Sequence, residues 1–207
     1  MDANIQVIEK PDWISWDDIH EIIWTAHSEN RERGVFMRFP SLPGEEIRKK
    51  VEENGKMLVA IRDSIIVGTA AIIFKDRSLW CGKGKFGYCC FASVLPSEQG
   101  KGIYNRMCIQ REELARNVGI NRLIMDTNEN NTRECSIVKR AGYKAVDYKF
   151  YKDHYNVVFV KWLNGCPFSN FRCSFEFARR KAIVKTKIKV KALFKNIHET
   201  KSNYYRE

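Results

Sequence analysis

The feature that most limits what this chain can fold into is the junction LPSEQGKGIYNRM at residues 95–107. An apolar run, YCCFASVL at 88–95, ends there. A run of helical period then starts, with Ile103, Met107, Ile109, Leu114 and Val118 toward a core, and Gly119 stops it. A further apolar segment follows at 121–127. Strand, glycine turn, long helix and strand make a crossover unit, which calls for a sheet with helices on its faces. Gly100 and Gly102 also leave the helix opening without a bulky cap. Its first amides lack internal partners, and the helix dipole there favours negative charge.

The rest of the chain fits around this unit. A short strand is expected at 5–9. Ser15 caps a first helix through about Asn30, with Trp16, Ile19, Ile22, Ile23 and Ala26 at helical spacing. Pro43 and Gly44 open a second helix, GEEIRKKVEEN, which Gly55 ends. Residues 56–62 and 65–74 read as strands joined by a tight turn at Asp63 and Ser64. WCGKGKFG at 80–87 has no helix behind it and reads as a hairpin loop. Asn131 or Thr132 starts another helix that ends at Ala141 and Gly142. Strands at 145–151 and 156–163 follow, joined by KDHY at 152–155. The fold class is α/β (α+β): a mixed sheet with helices on its faces.

With 207 residues the chain can bury a sizeable core. The polar, acidic start MDANIQVIEK does not read as a signal peptide, and IIVGTAAIIF at 65–74 is too short to span a membrane as a helix. The seven cysteines include no CxxC pair. They are expected as reduced thiols of a cytoplasmic protein, with neither a disulfide framework nor a metal site. The net charge of +11 is uneven: residues 164–207 hold 11 Lys/Arg against 3 Asp/Glu, a net of +8. A partner attracted by charge is therefore a partner of the tail.

The glycine junction is neither a Walker A loop nor a dinucleotide fingerprint, whose third glycine is replaced by Asn105. Gln99, Gly102 and Tyr104, between VLP and an amphipathic helix, resemble the [QR]-x-x-G-x-[GA] signature of the GCN5-related N-acetyltransferases. NNTRECSIVKRAGYK resembles that superfamily's later helix, N-x-x-[AS]-x-x-L-Y-x-x-x-G-F. Asn131 falls on the asparagine, Ile137 on the leucine, and Gly142-Tyr143 on the closing pair. The likeness covers most of residues 1–163, leaving 164–207 as a basic extension. More loosely, the whole chain resembles acetyltransferase-like proteins of surface-polysaccharide pathways.

The resemblance implies a mostly antiparallel twisted sheet splayed between its fourth and fifth strands after a bulge at Ser93 and Val94. It implies acetyl-coenzyme A as acyl donor. The amides of Gln99, Gly100, Lys101, Gly102, Ile103 and Tyr104 would hold its pyrophosphate, and the pantetheine arm would pair with the free strand edge in the split. Asn131 either contacts that arm or serves only as a helix cap. An acceptor amine would attack the thioester directly, with a base to take its proton and an acid for the leaving thiolate.

Two departures bear on the chemistry. Tyr104 replaces the last small residue of the loop. Val138 stands where a tyrosine often serves as acid, and CCFAS lacks the carboxylate often found on the bulged strand. Other residues are then candidates for proton transfer: His154 and Asp153 in the last hairpin, and Asp126 at the end of its strand. His154 reads equally as a solvated turn residue, and Asp126 as a surface or capping one. Trp24, His27 and Asn30, at i, i+3 and i+6, could line an acceptor site, although Trp24 also suits a core.

The expected function is acetyl transfer to the amine of a small molecule, such as an amino sugar or sugar nucleotide. The alternatives are a catalytically silent coenzyme-binding protein or a basic-tail adaptor. In the tail, Val184, Thr186, Ile188 and Val190 alternate with lysines, which predicts a strand or extended arm. It either packs on the domain through Phe168, Phe171 and Phe175 or meets an anionic membrane surface, which would make the protein peripheral at the inner membrane. Nucleic acid is not expected as a partner, since no aromatics interleave the lysine run.

Overall fold

The computed structural model describes residues 5–35, 39–78, 81–151 and 154–204, with side chains described as far as Val190. Strand β1 is Gln6–Glu9 and helix α1 is Trp16–Ala26. Ser15 and Asp18 close a capping box at the start of α1. Ile19 and Ile23 are fully buried. Each contributes about 1.5–3 kcal/mol by leaving water, so packing holds α1 more firmly than a cap worth about 1 kcal/mol.

The expected single helix to Asn30 is broken. His27 takes φ −106° and ψ 14°, and a short α2, Ser28–Glu32, continues beyond it. Helix α3 is Gly44–Glu52. Gly55 opens strand β2, Gly55–Arg62, instead of only ending the helix. A Cβ there would stand 2.5 Å from the Ile72 carbonyl oxygen. β2 turns through Asp63 and Ser64, both at positive φ as tight hairpins require, into β3, Ile65–Asp76. Then come β4, Lys85–Val94; α4, Ile103–Asn117; β5, Arg122–Asn128; α5, Thr132–Arg140; β6, Lys144–Tyr151; and β7, His154–Trp162.

The seven strands lie in the order β1-β2-β3-β4-β5-β7-β6. Every pairing is antiparallel except β4 with β5. That parallel pair is joined only at Gly87↔Leu123 and Tyr88↔Ile124, after which the two strands part. Helices α1 and α3 cover one face, where Ile14, Ile23, Ile47 and Val51 meet Met57, Val59, Ala71 and Phe91. Helices α4 and α5 cover the other, with Ile103 and Met107 on Ala60 and Ala70, and Val138 among Cys89, Leu123 and Phe159.

The bulge in β4 lies earlier than expected. Ala71 pairs with Cys90 and Thr69 with Ser93, so Phe91 and Ala92 together face Ala70. Phe91 sits at φ +52°. That conformation costs of order 1–3 kcal/mol, which burial of the ring in the α1/α3 core offsets. Ser93 and Val94 follow the bulge instead of forming it.

The tail is the main correction. Asn170–Tyr204 is one long helix, α6, and not a strand. Its alternating segment finds no strand partner. At helical spacing, Cys173, Phe177 and Val184 turn inward instead. Lys181 bonds Glu129 at 3.2 Å and Arg180 approaches Asp147 at 3.4 Å. Phe168 packs as expected, edge-on to Trp162, whereas Phe171 and Phe175 are 79% and 57% exposed.

Candidate active site

A cavity of about 310 Å³ opens at the end of β4, beyond the last pairing of β4 with β5. A hollow of about 430 Å³ beside Phe74 and Ile120 touches none of the candidate residues. The floor of the first cavity is the end of β4 (Ala92, Ser93 and Val94), and one wall is the loop at Glu98, Gln99 and Gly100. The first turn of α4 supplies Ile103, Tyr104 and Asn105; α5 supplies Asn131, Glu134 and Ile137; the α1–α2 junction supplies His27 and Asn30.

The phosphate end is built by conformation. Gly100 and Gly102 lie at φ +81° and +74°, a region that disfavours any side chain. A Cβ at either would meet nothing within 4 Å, so backbone shape selects glycine there and the space in front stays open. Gly102 is the N-cap of α4, and no side chain caps that helix. Its first intrahelical bond runs from Arg106 N to Gly102 O, which leaves the preceding amides without helical acceptors. This is the opening an anionic phosphate fits. Gln99 Nε2 donates to Val94 O at 3.2 Å, tying the loop to the strand. Lys101 stands outside the cavity lining, and its Nζ bonds buried Glu98 at 3.2 Å. Glu98 is bonded to Arg62 as well.

At the opposite end His27 is 9% exposed. Asn30 Nδ2 donates to His27 Nδ1 at 3.1 Å. That puts the ring proton on Nε2, 3.1 Å from Ser93 Oγ. Burial pushes the imidazole pKa down to about 4, so the ring is neutral at pH 7. Glu29 links this side to α5 through Arg133 at 3.9 Å and pairs with Arg33 at 3.8 Å.

In the middle, Asn131 caps α5 by accepting from Glu134 N at 3.2 Å. Glu134 Oε2 accepts from Asn131 Nδ2 at 2.9 Å and from Thr127 Oγ1 at 2.6 Å. Burial raises the Glu134 pKa against the lowering effect of the Thr127 bond.

The cavity thus gathers Ser93, Val94, Gln99, Gly100, Gly102, Ile103, Tyr104, Asn131, His27 and Asn30. Trp24 lies outside its lining, 44% exposed under the Arg31 guanidinium at 3.6 Å. Asp126 is outside it too, bonded at 2.6 Å to both Tyr88 Oη and Asn156 Nδ2. His154 begins β7 in place of a turn, half-buried beside the Tyr151 ring. Asp153 falls outside the described residues. The expected proton-transfer roles of Asp126 and His154 find no support in the cavity lining. Glu29, Glu98 and Glu134 were missed. Glu134 had one signal, the Asn131-x-x-Glu134 spacing of a capping box, which reads as purely structural.

Residues 16–143 match the model of the acetyltransferase (GNAT) family, and the chain belongs to that family. Its fold is that of solved acetyltransferases. One from Streptococcus agalactiae 2603 is 16% identical with a TM-score of 0.59, covering 77% of this chain and 98% of its own. A GNAT family acetyltransferase from Elizabethkingia anophelis, solved with acetyl-CoA bound, is 13% identical with a TM-score of 0.57, covering 77% and 99%. The ribosomal-protein-S18-alanine N-acetyltransferase from Escherichia coli is 10% identical with a TM-score of 0.59, covering 77% and 94%. No curated protein sequence matches the chain. The protein is an acyltransferase with acetyl-CoA as its donor, and the uncapped α4 opening fits the donor's pyrophosphate.

Proposed function

We propose that the acceptor is the amine of a small polar molecule, an amino sugar or sugar nucleotide, held at the His27 side of the cavity. One observation carries this reading: a single cavity runs from the uncapped α4 N-terminus, along the end of β4 and past Asn131 of α5, to a wall of His27 and Asn30. Amides at the start of α4 would hold the pyrophosphate, and the freed edge of β4 beyond Tyr88 would align the pantetheine arm. The donor supplies the acetyl group as a thioester. Neutral His27, fixed by Asn30, offers the acceptor side a rigid polar wall instead of a positive charge. Glu29 can attract an ammonium, and Arg33 and Arg133 can attract the phosphates of a nucleotide-linked sugar.

The outer side of α6 supports a peripheral membrane role. It exposes Phe171, Phe175, Ile183 and Val190 along a helix that also carries Arg172, Arg179, Lys187 and Lys189. Among the described residues no helix is long and apolar enough to cross a membrane.

Coenzyme A release, followed by thiol trapping across a panel of amino sugars, sugar nucleotides, polyamines and N-terminal peptides, tests the acceptor. The reading expects amine-dependent release with amino sugars or their nucleotides. Release with peptides alone would assign the enzyme to protein acetylation. Tight donor binding without release on any amine would favour a silent coenzyme-binding protein.

A further inference from the structure

We propose that Tyr104 is the catalytic acid of this enzyme: its phenol, entering the split from the first turn of α4, gives its proton to the sulfur as the thioester breaks. The inference rests on the donor-binding cavity described above.

Three observations converge. First, the Tyr104 side chain lines the cavity, and its hydroxyl has no hydrogen-bond partner among the described residues. The hydroxyl is not among the fully buried unpartnered atoms, so it stays open to the cavity. Second, the acid that α5 brings to the cavity, Glu134, is held by Thr127 and Asn131, and Val138 is fully buried in the cluster that holds Cys89. The Tyr104 phenol has Cys89 among its electrostatic neighbours. Glu134 of α5 and Arg111 are among the same neighbours. Third, Arg111, about two helical turns further along α4, is 1% exposed and forms no ion pair with a carboxylate among the described residues.

The Arg111 guanidinium lies 5.8 Å from the Tyr104 ring centre. Its Nη2 approaches Cys108 Sγ at 3.1 Å, while Nε and Nη1 have no partner. Burying an unpaired cation is costly. Beside a phenol that gives up its proton, the same cation stabilises the phenolate. Burial keeps the phenol protonated at rest, and Arg111 works against that by favouring the ionised form.

The step balances. The acceptor nitrogen bonds the acetyl carbon, and the C–S bond electrons pass to sulfur. Sulfur takes the Tyr104 proton, the acceptor's ammonium proton leaves to water, and water returns a proton to the phenolate.

Tyr104→Phe keeps the ring and removes the proton. Calorimetry should show acetyl-CoA affinity within about 3-fold of wild type, while kcat falls at least ~10-fold, at the low end of acid–base effects. The deficit should shrink with acetyl thioesters of more acidic thiols, whose leaving groups need no proton. In the binary complex with coenzyme A, ultraviolet thiolate absorbance should show the bound thiol ionising at lower pH in wild type than in Tyr104→Phe, because the phenol bonds the thiolate. An unchanged kcat, a deficit independent of the leaving group, or identical thiol titrations would each overturn the assignment. Wild-type protein that binds no acetyl-CoA would bring down the donor-site reading together with it. Binding and transfer that survive unchanged in the variant would bring down Tyr104 alone.

Discussion

At the residue scale, His27 shows both the reach and the limit of the sequence. Its spacing from Trp24 and Asn30 suggested one shared helical face. The helix breaks at His27, so His27 and Asn30 meet while Trp24 turns outside the cavity. Nothing in the local spacing encodes that break; the bulged strand does, by placing Ser93 against the ring. The depressed pKa has a consequence for stability. The folded ring protonates near 4, below the ordinary value of 6.5. The unfolded chain therefore binds more protons between those values. Stability from neutral His27 is complete above about pH 6.5 and is lost as pH falls toward about 4, a total of about 3 kcal/mol. Urea unfolding from pH 7 to 4 should show this acid-side loss in wild type and a smaller one in His27→Gln. Equal slopes would mean that His27 is not neutral and buried as described.

At the element scale, the crossover unit was legible because strand, glycine turn and helix differ in period and in turn chemistry. The bulge was legible in kind and misplaced in position: Phe91 at positive φ has no sequence signal, since only its burial against α1 makes the conformation tolerable. The tail was misjudged because the strict alternation of Val184, Thr186, Ile188 and Val190 with lysines fits a strand. A strand needs an edge to pair with, however, and the helix instead packs Phe177 and Val184 inward with lysine stems around them. The helix leaves Phe171 and Phe175 outside, stacked on each other at 6.2 Å. Anionic vesicles should bind the protein, neutral ones poorly, and binding should fall steeply with salt, since exposed charges are screened over about 8 Å at physiological ionic strength. Phe171→Ala with Phe175→Ala should weaken that binding without changing acetyl-CoA affinity. Equal binding to both vesicle types, or to neither, would reject the membrane role.

At the scale of the whole molecule, two halves of a sheet part at one parallel pair, and the cavity opens over the end of β4 beyond it. The strands and helices that make this shape were readable from periodicity. His27 and Asn30 were named from their spacing, but their meeting with β4 and α5 was not readable, because it joins segments far apart in the chain. The central claim is that the uncapped start of α4 holds the donor's pyrophosphate. Gly102→Asp tests it most directly, by adding a carboxylate and a side chain at φ +74° to that opening. Calorimetry of acetyl-CoA against folded wild type and folded Gly102→Asp should show binding in the first and a loss of at least ~100-fold, about 2.7 kcal/mol, in the second. Equal affinity in the two proteins would contradict the account.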